Sequence, residues 1–282
     1  MLLSKRTIRL TMAVMCAAIV LLGVILARPI QASGVIPVDS TQKMNGITIY
    51  LTFDDGPYAG RTDSILDTLA KYNVKATFFM EGGHVARGNF SEVRRVVSEG
   101  HRLGNHLWLE LADVMFRAKP SVATLQNQYA MAENIFHQAL GDSLWAAYQA
   151  QPRVFRWPGG SPFVLPGMPN VYNYNWNVSS GDDVHGAITV SRILNNVLYG
   201  YVPNHIYGVF AWGNGAILMF HDTTYMTSVA LPTVLRTLQA HGVSFGLLPR
   251  PGDVPGTVIG ELGGIPPCAR VDNCSAANRL PQ

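Results

Sequence analysis

The sequence predicts an α/β fold in a single domain, built on a parallel sheet. Two observations carry this. Short apolar or alternating runs recur from residue 46 to residue 250, most followed by a helix-period segment. Such strand–helix alternation argues for parallel β/α units. The residues able to do chemistry also fall at or just after the C-terminal ends of those runs, where a parallel scaffold gathers its loops on one face.

Taken in order, Ile47 to Phe53 alternates as a strand and Gly56-Pro57 breaks it. Thr62 to Lys71 is an amphipathic helix and Ala76 to Met80 a strand. Ser91 is placed to cap a helix running to Ser98. Val122 to Leu140 reads as a long helix. Val154 to Arg156, Val171 to Trp176 and Ala216 to Phe220 read as short strands. Leu231 to Ala240 is a helix ended by Gly242, and Val243 to Leu248 is the last strand.

The 282 residues, 48% hydrophobic and 14% charged, suit one core plus extensions. Residues 1–32 contain Lys5, Arg6, Arg9 and Arg28, no acid, and an uncharged run from Leu10 to Ala27. They read as a signal peptide ending near Ala32 or as a retained N-terminal membrane anchor, so the chain is expected to be exported, extracellular or periplasmic. The 21 basic residues less those four leave 17 against 18 acidic ones, so the body is near neutral. A surface for nucleic acid is therefore excluded, and contact with a membrane is expected only through the leader. Residues 33–45 read as a linker, 46–250 as the domain and 251–282 as an irregular Pro- and Gly-rich tail. Cys268 and Cys274, an even pair in an exported chain, are expected to form a disulfide.

The most informative segment is Thr52-Phe53-Asp54-Asp55-Gly56-Pro57. Two carboxylates stand side by side where a strand ends, and keeping both ionised in a partly dry site requires a cation or a proton. Taken alone, Asp-Asp-Gly is equally an acidic strand exit. Downstream come Gly100-His101-Arg102-Leu103-Gly104-Asn105-His106, Phe155-Arg156-Trp157-Pro158-Gly159-Gly160, Trp176-Asn177-Val178-Ser179-Ser180-Gly181-Asp182 and Ile217-Leu218-Met219-Phe220-His221-Asp222.

This ordered set resembles the five motifs of the polysaccharide deacetylase family, carbohydrate esterase family four, over roughly residues 46 to 250. The resemblance implies a distorted (β/α) barrel. It also implies a divalent metal, zinc first and cobalt or manganese as alternatives. Asp54 would be the general base, Asp55 and His106 metal ligands, Arg156 the residue orienting the base, His221 the general acid and Asp182 its partner. Gly159, beside Pro158, would help bind the oxyanion, and Trp176 and Met219 would line the acetyl pocket.

Two motifs depart from the family pattern. A second histidine is expected four residues after His106, where Glu110 stands. That spacing puts both side chains on one face of a helical turn, and Glu is a legitimate zinc ligand. Ser179 stands for an expected Asp, and Asp183 for an expected Trp. The resemblance implies an exported hydrolase that removes N-acetyl groups from N-acetylglucosamine units of a cell-envelope polysaccharide, peptidoglycan first. Chitooligosaccharide, poly-N-acetylglucosamine and acetyl-xylan are alternative substrates. A glycan-binding homologue without turnover is the reading from a different class, motivated by Glu110, Ser179 and Asp183.

Overall fold

A computed structural model describes residues 43–109, 120–161, 165–168, 170–183, 188–201, 206–248 and 258–259. The leader, Glu110 and the cysteine pair lie outside these residues. Among the described residues no helix is long and apolar enough to cross a membrane.

Eleven strands and seven helices alternate along the described residues. They are β1 (Thr48–Asp54), α1 (Arg61–Lys71), β2 (Thr77–Met80), α2 (Gly82–Val85), α3 (Phe90–Ser98), β3 (Arg102–Asn105) and α4 (Val122–Gln149). β4 (Val154–Phe155), β5 (Tyr172–Tyr174), β6 (Val178–Ser179), α5 (Val190–Tyr199), β7 (Gly200–Tyr201), β8 (Ile206–Tyr207) and α6 (Val209–Trp212) follow. The series closes with β9 (Ile217–His221), α7 (Tyr225–Ala240), β10 (Ser244–Gly246) and β11 (Val258–Ile259).

Nine strands form one sheet in the order β11-β5-β4-β3-β2-β1-β9-β6, with β10 also on β1. Every pairing in it is parallel, and the sheet curls as a half-barrel. The expected distorted (β/α) barrel is this arrangement. β7 and β8 form a separate antiparallel pair.

The pleat of β1 explains where the site lies. Successive residues face opposite sides of the sheet. Phe53 stacks on Phe78 and Phe220, layering one face. On the other, Tyr50 joins Phe79, Val154, Tyr174, Ile217 and Leu248 in an apolar cluster. That inner face turns polar along the strand: Thr52 and then Asp54 follow Tyr50 in β1, and His221 follows Ile217 and Met219 in β9. The register pairs Asp54 with His221, bringing the first and last motifs to the same height.

The structure adjusts several expected boundaries. Ser91 is not the cap of α3; the N-cap is Asn89, and the Ser91 hydroxyl donates to Glu92 instead. α4 reaches Gln149 rather than stopping at Leu140, with Gly141 breaking it in a non-helical conformation (φ 67°) that glycine adopts at no steric cost. α7 begins at Tyr225, not Leu231, and runs through Pro232, forgoing one intrahelical hydrogen bond. The tail, expected to be irregular, contributes β11, which extends the sheet at β5.

Candidate active site

Arg156, at the end of β4, is fully buried. One guanidinium nitrogen, Nη1, donates to Asp54 Oδ1 at 2.6 Å and to Thr52 Oγ1 at 2.8 Å. Nε donates to the Tyr174 carbonyl at 3.1 Å and Nη2 to the Asn175 carbonyl at 3.0 Å. The guanidinium also lies 4.3 Å from the Phe79 ring centroid and 5.7 Å from that of Trp176. Burial lowers its pKa despite the opposing field of Asp54, yet an arginine stays charged in any protein site. A planar cation held by four hydrogen-bond partners thus fixes one carboxylate oxygen of Asp54.

Asp55 leaves the strand with a left-handed backbone (φ 70°), as does Leu107 (φ 66°) after His106. For a non-glycine residue this costs about 1–2 kcal/mol. The turn aims the Asp55 carboxylate at two rings: Oδ1 lies 3.2 Å from His106 Nε2 and Oδ2 lies 3.9 Å from His221 Nε2. Burial raises the Asp55 pKa, but the hydrogen bond from His106 and the fields of His221, His106 and His84 outweigh it and hold the group below its ordinary 3.8. The side chain keeps 22% exposure, enough to leave an edge open to a ligand.

His106 Nδ1 donates to the Arg156 carbonyl at 2.7 Å, so Nε2 is the nitrogen presented to Asp55. A buried network sets this turn. The Asn105 amide donates to Glu133 Oε1 at 2.9 Å and its oxygen accepts the Leu107 N–H at 2.8 Å. Tyr148 also donates to Glu133 Oε1, at 2.8 Å. Burial raises the Glu133 pKa, opposed by these hydrogen bonds.

His221 Nδ1 is 2.8 Å from Asp182 Oδ1, and its backbone N–H donates to Oδ2 at 2.8 Å. The Thr227 hydroxyl donates to the same Oδ2. Burial pushes the His221 pKa down, but Asp182 outweighs it and raises the ring well above 6.5. Asp182 is held below 3.8 because His221 and Thr227 outweigh its own burial. Ligand atoms of Asp182, Asp183 and His221 lie within 4.8 Å of one another. Both Asp182 oxygens are nevertheless committed to His221 and Thr227, and Asp183 is exposed.

Pro158 is buried and Gly159 is exposed with φ 70°, on the loop following Arg156. Trp176 is half-buried, and Met219 is buried in β9 beside Thr52. Ser179, in the departing fourth motif, accepts the Gly181 N–H at 3.2 Å and so shapes the turn into Asp182.

A family model described as polysaccharide deacetylase matches residues 41–165. The chitooligosaccharide deacetylase of Bradyrhizobium sp. is 31% identical over 180 residues, covering 62% of this chain and 70% of that protein. The chain belongs to the polysaccharide deacetylase family. The peptidoglycan-N-acetylglucosamine deacetylase PgdA of Listeria monocytogenes is 30% identical over 200 residues. That match covers 70% of this chain but 37% of the Listeria protein, so the chain spans well under half of that relative. Among solved structures, a family 4 acetyl xylan esterase from Clostridium thermocellum, in complex with a cobalt ion, is 26% identical with a TM-score of 0.55. It covers 71% of this chain and 88% of that one.

Within this polysaccharide deacetylase scaffold two residues stand at the site that sequence reasoning passed over. His84 places Nδ1 2.5 Å from the Asp55 carbonyl. Asp222, read only as the end of a motif, is buried against the Asp54-Asp55-Gly56 turn. A Cβ on Gly56 would stand 2.1 Å from Asp222 Oδ2, so only glycine fits there. Thr62 donates to that oxygen at 2.7 Å, and the Asp222 N–H donates to the Asp54 carbonyl at 3.3 Å. Burial, with the fields of Asp55 and Asp54, outweighs the Thr62 bond and pushes the Asp222 carboxyl up to about 7. The adjacency of Asp222 to His221 was the one sequence signal for it.

Proposed function

We propose that the chain is an exported, metal-dependent hydrolase that removes the N-acetyl group from N-acetylglucosamine units of a cell-envelope polysaccharide, peptidoglycan first. The observation that carries the reading is the convergence of Asp54 held by Arg156, Asp55 facing His106, and His221 held by Asp182 at one end of the sheet. The family membership and the relatives named above support the same reading, and the basic, apolar leader supports export.

The donor chemistry fits a divalent cation. Asp55 offers a carboxylate below its ordinary pKa, and His106 offers Nε2 because its Nδ1 is spent on a carbonyl. Carboxylate, imidazole and a third oxygen ligand form an open site of the kind zinc accepts; Glu110 is proposed as that third ligand from its place in the second motif, because the left-handed Leu107 (φ 66°) breaks the helical turn on which the sequence spacing relied. Cobalt and manganese remain alternatives. When bound, the cation polarises the amide carbonyl and acidifies water.

The chain's own residues then divide the work. Arg156 holds Asp54 in one orientation, aimed at the site. Asp54 takes a proton from the attacking water as its oxygen bonds to the acyl carbon. The loop at Pro158 and Gly159 flanks the oxygen that becomes negative, where a backbone N–H would stabilise it. His221, kept protonated by Asp182, gives its proton to the amine nitrogen as the carbon–nitrogen bond breaks. Acetate and a free amino sugar result. Trp176 and Met219 line the pocket for the acetyl methyl.

The test is acetate release by the full chain, metal-loaded, from peptidoglycan, chitooligosaccharide, poly-N-acetylglucosamine and acetyl-xylan. Release from a substrate bearing N-acetylglucosamine is expected. Release from acetyl-xylan alone would reassign the chain as an ester hydrolase. Sub-stoichiometric metal with no release from any of the four would leave a glycan-binding homologue without turnover.

A further inference from the structure

A second cleft opens beside the catalytic turn. It is lined by Pro57, Tyr58, Ala59, His84, Arg87 and Asn89 and has a volume of about 220 Å³. One wall is the loop that follows Asp54 and Asp55; the other is α2 and its exit. The walls are fastened together. The Asn89 amide donates to the Pro57 carbonyl at 3.3 Å and to the His84 carbonyl at 2.8 Å, and His84 bonds the Asp55 carbonyl. The cleft is therefore preformed, and it shares its backbone with the reacting centre.

Its polar groups are unequally committed. The Asn89 amide and His84 Nδ1 are used in holding the walls. Arg87 is exposed and has no ion-pair partner among the described residues. Tyr58 is 47% exposed, and Arg61 sits over its ring at 4.2 Å while donating to the Thr223 carbonyl. The ring is thus braced in place and still offers surface to a ligand. An aromatic ring of this kind supplies apolar contact with little loss of side-chain entropy, and a free guanidinium is shaped to receive a carboxylate. The volume is below the roughly 300–1,000 Å³ of a pocket that encloses a whole ligand, so one substituted ring rather than a chain is the fitting occupant.

We propose that this cleft is a subsite for the sugar next to the one deacetylated, and that Arg87 makes it prefer a sugar carrying a carboxylate. The proposal rests on a glycan substrate and sharpens it. In peptidoglycan the sugar alternating with N-acetylglucosamine bears a lactyl ether and an acidic peptide, whereas in chitooligosaccharide every unit is neutral.

The experiment compares binding of two soluble probes to the full chain carrying Asp54→Asn, by calorimetry at low salt. The probes are an N-acetylglucosamine–N-acetylmuramic acid tetrasaccharide with free lactyl carboxylates, and chitotetraose. The acidic probe should bind about fivefold more tightly, the scale of an exposed ion pair. Arg87→Gln should erase that preference, Arg87→Glu should invert it, and about 0.5 M salt should suppress it. Equal affinity for the two probes, or a preference that survives Arg87→Gln, would overturn the subsite. Acetate release by the wild-type chain is scored separately. A chain with an Arg87-dependent preference but no release keeps the subsite and sinks the hydrolase reading. Release without the preference does the reverse.

Discussion

The ring nitrogen Nδ1 of His106 donates to the backbone carbonyl of Arg156 across 2.7 Å. One residue thereby serves both carboxylates: its guanidinium fixes Asp54, and its carbonyl orients the histidine that faces Asp55. The two carboxylate arms of the site are thus set by a single position, the residue that follows β4.

Asp54→Asn should lower turnover by about 10²-fold or more, the scale of a lost general base. The amide oxygen still accepts from Arg156, and the guanidinium keeps Thr52 and two carbonyls as acceptors. The fold should persist with a lowered melting temperature, because a buried cation loses its counter-charge. Steady-state kinetics and thermal melts check both halves, and wild-type turnover would reassign the base.

Asp182→Asn should move the high-pH limb of the rate profile. The carboxylate raises the His221 pKa, so the ring stays protonated to higher pH than an ordinary histidine. Removing the charge lowers that pKa, and activity that needs the protonated ring should fade at lower pH than in wild type. The measurement is kcat against pH; an unmoved limb would remove His221 from the acid step.

Metal should follow the proposed ligands. Asp55→Ala, His106→Ala and Glu110→Ala should each lose stoichiometric zinc by elemental analysis and lose activity together, whereas Glu110→His should retain the metal. Full zinc occupancy in Glu110→Ala would exclude that residue as a ligand.

Glu133 never touches the cation, yet it should matter to it. It anchors the Asn105 amide, whose oxygen caps the turn after His106. Glu133→Ala should weaken metal binding about 10-fold, the lower end of what outer partners of ligands contribute. Competition with a chelator measures it, and unchanged affinity would reduce the network to packing.

Asp222 should imprint itself on stability. Its folded-state value of about 7 lies above its ordinary 3.8, so between these pH values the folded chain holds a proton that the unfolded chain releases. Stability from this group is present at low pH and lost as pH rises through about 7. In metal-free protein, Asp222→Asn should therefore gain melting temperature on wild type between about pH 5 and pH 8. A pH-independent difference would show that the carboxyl does not titrate there.

Much of this was local and so legible in the chain. The alternation of Ile47 to Phe53, the break at Gly56-Pro57 and the helix period of Thr62 to Lys71 need no distant partner, and they place Asp54 and Asp55 at a strand end by themselves. Arg156, Asp182 and His221 were legible through the resemblance of their surrounding motifs to those of the family. β3 and α2 have four residues each, too few to show a period in the sequence.

Tertiary structure decided what depends on approach between distant segments. Arg156 is positioned by the Tyr174 and Asn175 carbonyls, and His106 by the Arg156 carbonyl. Every residue has a carbonyl, so such partners leave no mark in the sequence. His84 reaches the Asp55 carbonyl and Asp222 packs on Gly56 across many residues of chain, and only the curl of the sheet brings those segments together. Residue type named the chemistry; burial and backbone acceptors, which exist only once the sheet has formed, chose the orientations and shifted the proton affinities.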